Sequence, residues 1–137
     1  MRLKRFWSLG AVAAAILLGG AANAPIVAFS RIEPGSWQLR ALDSSAPERR
    51  LCVDDPYDLI QLRHPGAACS RFVLTNEADR ATVHYTCPGA GYGRTTIRVE
   101  TGQLVHIDSQ GLANQAPFQM SFEARRVGAC TPEHAGR

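Results

Sequence analysis

The chain has 137 residues, 15 Lys+Arg, 12 Asp+Glu and four cysteines, a length that accommodates one domain rather than two. Arg2, Lys4 and Arg5 supply the whole formal charge of +3, and the remaining 12 bases balance 12 acids. That balance excludes a general nucleic-acid binder and a polybasic membrane binder, both of which need a net basic surface.

Residues 1–24 read as a secretory signal peptide. The basic start precedes an apolar run from Phe6 to about Leu18, followed by the small residues Gly19, Gly20, Ala21, Ala22, Asn23 and Ala24. Cleavage after Ala24 fits the small-x-small pattern of Ala22 and Ala24 but leaves Pro25 next to the cut; cleavage after Ala22 avoids the proline. Both sites stay open. The apolar run is short for a bilayer span of roughly 20 residues, so no membrane anchor is expected after cleavage. No cysteine lies near the cut, which excludes a lipid-modified N-terminus. Residues 25–137 then form a single exported domain, periplasmic or secreted, large enough to bury about two thirds of its surface. Every base in it is arginine, which reads as GC-rich coding bias rather than as an anion-binding surface.

Residues 25–34 show no clear period. Residues 36–42 alternate, with Trp37, Leu39 and Ala41 on one face and Gln38 and Arg40 on the other, the pattern of a half-buried strand. Residues 43–47 are turn-like, and residues 49–53 suit a returning strand. Asp55 is placed to cap a short helix with Pro56 at its first position, and Leu59, Ile60 and Leu62 supply an apolar side. Asp54, Asp55 and Asp58 read as cap and dipole chemistry for that helix. It must stop before Pro65-Gly66, after two turns at most.

Residues 70–75 and 81–87 are strands joined by a polar turn, residues 76–80. A hairpin centred on Ala78 sets Val73 opposite Val83, Arg71 opposite Tyr85 and Cys69 opposite Cys87. Directly opposed residues lie about 4.5–5.5 Å apart at Cα, within disulfide reach. An even cysteine count in an exported domain implies disulfides, so Cys69–Cys87 is expected and, by exclusion, Cys52–Cys130. The chain-entropy relation values them at roughly 3 and 4.5 kcal/mol. The sequence separations of 17, 18 and 43 are too wide for a zinc cluster.

Residues 94–100 alternate about Ile97 and Val99, Thr101-Gly102 turns the chain into residues 103–108, and a break at 111–117 leads to residues 118–127. There Phe118, Met120, Phe122 and Ala124 share a face. Six or seven strands with tight turns make a mainly β domain: a curved antiparallel meander with one short helix, tied by disulfides.

Chemistry-bearing motifs are sparse. Gly89-Ala90-Gly91-Tyr92-Gly93 has no helix after it, so it is a turn and not a phosphate cradle. His64, His84, His106 and His134 are scattered; a hydrolase built on His84 or His106 with Asp108 lacks a nucleophile beside it. No cofactor, metal site or catalytic set is expected.

The segment Glu33-Pro34-Gly35-Ser36-Trp37, then Arg50-Leu51-Cys52-Val53, Cys69, Cys87 and the closing Arg125-Arg126-Val127-Gly128-Ala129-Cys130 resemble the small exported bacterial proteins of domain of unknown function 3617. The resemblance covers residues 33–130. It implies an exported, β-rich, disulfide-bonded domain and carries no activity, substrate or site residues.

The reading that results is a non-enzymatic binding or interaction module of the cell envelope, whose partner is an envelope protein or a small apolar ligand. Trp37, Phe118, Met120 and Phe122 would either pack as core or line a cavity for such a ligand. The alternative is an inhibitor of an envelope enzyme that inserts the 87–94 loop, with Tyr92 and Arg94 as anchors.

Overall fold

A computed structural model describes residues 24–131; the segment read as a signal peptide, up to residue 23, and His134 lie outside the described residues. Seven strands, β1 (Gly35–Ala41), β2 (Arg49–Val53), β3 (Ser70–Asn76), β4 (Arg80–Cys87), β5 (Gly91–Thr101), β6 (Leu104–Ala113) and β7 (Ala116–Gly128), form one antiparallel sheet in the order β2-β1-β7-β6-β5-β4-β3. Strands β3 to β7 are the expected meander. The first hairpin does not continue it but docks on the far side, with β1 pairing β7.

The β3–β4 register is the one the sequence implies: Arg71 faces Tyr85 and Val73 faces Val83. Beyond Val73 the register shifts by one residue, so Thr75 faces Thr82. This bulge at Leu74 absorbs the even-numbered turn, whose Glu77 amide donates to the Arg80 carbonyl at 2.8 Å. Cys69–Cys87 and Cys52–Cys130 are both disulfides, with Cα atoms 4.2 and 5.5 Å apart.

One sheet face carries Trp37, Leu39, Val83, Tyr85, Ile97, Val105, Ile107 and Ala124, all essentially solvent-free. Two segments close it. The first is the run before β1, where sequence alone shows no period: it holds a 3-10 helix, Val27–Arg31, and buries Ile26, Ala28, Phe29 and Ile32. Asn76 clamps this run, its Oδ1 accepting from the Val27 amide and its Nδ2 donating to the Pro25 carbonyl. The Glu33 carbonyl accepts the indole N–H of Trp37 at 3.0 Å.

The second closing segment is the crossover from β2 to β3, which links opposite edges of the sheet. Here the expected short helix is only a 3-10 turn, Pro56–Leu59. The cap chemistry is as expected: the Asp55 carboxylate accepts from the Tyr57 amide, and Pro56 opens the turn. The width of the sheet limits how helical the crossover can be. Six inter-strand steps of about 4.8 Å make some 29 Å of sheet to cross. Sixteen residues, 54–69, do it. An α-helix of that length would reach only about 24 Å. The segment advances by successive turns instead, among them His64 to Ala67 with Pro65-Gly66 at its centre and Gly66 at φ +71°. It presses Leu59, Ile60 and Leu62 into the core.

The break expected over residues 111–117 is far shorter. Both strands run on to a two-residue hairpin turn, Asn114-Gln115, with both φ values positive, the backbone of a type I′ turn.

Candidate functional site

Three regions carry enough polar or aromatic chemistry to be weighed: a buried cluster around His64, the apolar face, and the solvent face of β3–β5.

His64, on the crossover, is buried beside Tyr85 and the ends of β5 and β6. Its Nε2 lies 3.1 Å from the Ala90 carbonyl and 3.2 Å from the Leu112 carbonyl; its Nδ1 lies 2.9 Å from the Tyr85 hydroxyl. Two carbonyl neighbours require the proton on Nε2, so Nδ1 accepts from Tyr85. Nearby, Thr95 donates to the Ile60 carbonyl at 2.6 Å and meets Ser109 Oγ at 2.7 Å. Burial pushes the Tyr85 phenol above its usual value, a hydrogen bond with Ser109 opposing the shift. Tyr85, Thr95 and Ser109 are at most 3% exposed. This set has the residue types of an active site, but each of its members is buried. Its partners are all internal, and among the described residues no buried side-chain polar atom lacks one. It fastens the crossover to the sheet.

The glycines beside it explain a motif that reads as a turn. The turn itself is residues 87–90: the Ala90 amide donates to the Cys87 carbonyl, with Pro88 and then Gly89 at φ +78° in the middle, a type II turn. Gly91 and Gly93 already belong to β5. A Cβ on Gly93 would run into the Tyr85 ring, so this glycine makes room for the phenol.

The apolar face resolves as core. Trp37 is wholly enclosed, while Met120 and Phe122 are partly buried and packed against the same cluster. Phe118 is half-buried and meets the His64 ring edge-on at 6.0 Å. Met120 and Phe122 each also border a shallow surface hollow, but the two hollows are separate.

The 87–94 segment is not a free loop. Tyr92 and Arg94 sit on β5, hydrogen-bonded on both sides: Tyr92 faces Thr86 and Leu112, Arg94 faces His84 and Gln110. Alternation still turns both side chains to solvent. Tyr92 is 45% exposed and packs tilted against His84, ring centroids 5.9 Å apart. Phe72, opposite His84 on edge strand β3, is 66% exposed. Phe72, His84, Tyr92 and Arg94 thus form a continuous aromatic and cationic surface across three strands. Phe72 and His84 were not singled out from sequence for this role. The signal was their placement opposite each other in the hairpin, on the face away from Val73 and Val83.

The remaining candidates separate. His106 approaches Glu100 at 3.5 Å, whereas Asp108 accepts from Ser121 Oγ at 2.6 Å, so His106 and Asp108 are engaged elsewhere. Among the described residues the one grouping with metal-binding proximity is Cys52, Asp54 and Cys130, and both of its sulfurs are spent in the disulfide.

Compared with known proteins, the chain matches no family model, and no curated protein or solved structure resembles it significantly. Two disulfides in so small a domain fit an extracellular or periplasmic setting. Among the described residues no helix is long and apolar enough to cross a membrane.

Proposed function

We propose that the protein is an exported, non-enzymatic binding module of the cell envelope, and that it engages a macromolecular partner through Phe72, His84, Tyr92 and Arg94. The observation that carries this reading is the exposed aromatic cluster on the solvent face of β3–β5, with Arg94 beside it. Tyrosine and arginine dominate binding energy at protein interfaces, and an exposed apolar patch on a small domain marks a contact site. The buried polar groups, by contrast, are committed to the fold. Export through residues 1–24 belongs to the same proposal, as does kinship with domain of unknown function 3617, which rests on Glu33–Trp37 and Arg125–Cys130.

A photo-reactive residue at position 72, introduced into protein exported to a periplasm, tests the reading. A discrete cross-linked adduct is expected, weakened at least tenfold by Tyr92→Ala with Arg94→Ala. Adducts formed equally well from Gln103, on the β5–β6 turn, would remove this surface from consideration.

A further inference from the structure

We propose that the open edge of β2 is a docking site for an extended acidic peptide, which joins the sheet there as one more strand. A groove runs between β2 and the crossover. Arg49, Arg50, Leu51 and Cys52 line one wall, and Gln61, Leu62, Pro65 and Gly66 line the other. Consecutive strand side chains point to opposite faces. A groove lined by four in succession therefore runs along the edge of the strand and not along one of its faces.

Among the described residues that edge is unpaired: β2 bonds only to β1, and no other backbone hydrogen bond reaches residues 49–53. An exposed edge beside an apolar groove is a ready template for strand addition.

Charge selects the occupant. Arg49 lies over the Phe122 ring, 5.2 Å from its centroid. Burial first, and the Arg63 charge second, lower its proton affinity. Arg49, Arg50 and Arg63 have no carboxylate within 4.0 Å among the described residues. The acid in the groove is Asp58, whose pKa is raised, chiefly by burial; a hydrogen bond from the Asp55 backbone and the Arg71 charge oppose the shift, and the Asp55 and Asp54 charges add to it. A peptide carboxylate at the Arg49 end neutralises two adjacent cations that now repel. Main-chain bonds to β2 supply affinity and the arginines supply selectivity.

The site stands on the opposite sheet edge from Phe72 and is independent of the aromatic surface on β3–β5. Selection of phage-displayed random heptapeptides on the oxidised exported domain tests it. Enrichment of Asp- or Glu-containing sequences is expected. The enriched peptide, made synthetically, should slow amide exchange at residues 49–53. Arg49→Glu and Arg63→Glu should each weaken it at least tenfold, and Tyr92→Ala should leave it unchanged. Selection of basic or purely apolar peptides, protection of β3 in place of β2, pairing of two copies at this edge, or no selected binder would overturn the proposal.

Discussion

The His64 imidazole holds three partners drawn from three stretches of chain, and removing one leaves a buried acceptor unmet. Tyr85→Phe strips the donor from Nδ1 and should cost about 1–3 kcal/mol, read as a lower urea midpoint with an unchanged slope. Gly93→Ala should destabilise as well, because the new methyl meets the ring. At the β6–β7 turn, Gln115 adopts φ +66°, a backbone that glycine takes without penalty. Gln115→Gly should therefore stabilise by about 1 kcal/mol or somewhat less, measured in the same titration. Glu123 accepts from Arg40 and Arg125, and these hydrogen bonds hold its carboxyl below the usual range. Its contribution is complete above the unfolded value of about 4.3 and disappears as pH falls through the lowered folded value. Glu123→Gln should weaken the fold at neutral pH, and the difference from the parent should shrink as pH falls through the lowered folded value. Little of this residue-scale detail was legible in the sequence. Gly91 and Gly93 read as turn residues because a glycine's side of a contact is blank until its neighbour, here the Tyr85 ring, is known.

Strand pairing was the most legible element-scale feature. Val, Thr, Phe and Tyr at alternating positions named both arms of the β3–β4 hairpin, and its register named a disulfide. That bond fastens a strand that, among the described residues, pairs on one side alone. Replacing Cys69 and Cys87 together by serine should cost roughly 3 kcal/mol on the chain-entropy relation. Amide exchange should accelerate first in β3, with β5 and β6 affected only through global unfolding. Two shorter features escaped detection, and a third was located but read as a short helix, for one physical reason. The 3-10 helix Val27–Arg31, the turn Pro56–Leu59 and the two-residue turn at Asn114 are each too brief to show a period. Asp55 and Pro56 signalled where the second begins. Its length was set by the width of the sheet, which no local pattern contains.

At the scale of the molecule, sequence revealed the class and not the order. Local turns predict neighbours such as β5 and β6, but nothing in residues 35–41 says that their second neighbour is β7 at the other end of the chain. As a result β1 lies between the last strand and its own hairpin partner, and the crossover must span everything in between. Cys52–Cys130 then joins the second strand to the segment beyond the seventh. The cysteine count also pointed to the disulfide framework, and so to the extracellular or periplasmic setting that two disulfides fit, because an even count spaced too widely for metal favours an oxidised pairing.

That long-range bond also decides how the domain bears mechanical load. Tension between its two ends passes from residue 52 directly to residue 130 and bypasses the 78 positions of separation in between. Pulled in an oxidising buffer, the described chain should yield only residues 24–52, a gain of about 100 Å at ~3.5 Å per residue. After reduction, a further release of roughly 270 Å should appear, by the same reach per residue. Single-molecule extension would read both steps. The strands that carry Phe72, His84, Tyr92 and Arg94 lie wholly inside the shielded stretch, so until the bond is reduced the force reaches them only indirectly, through loss of Phe29, Ile32, Trp37 and Leu39 from the shared core.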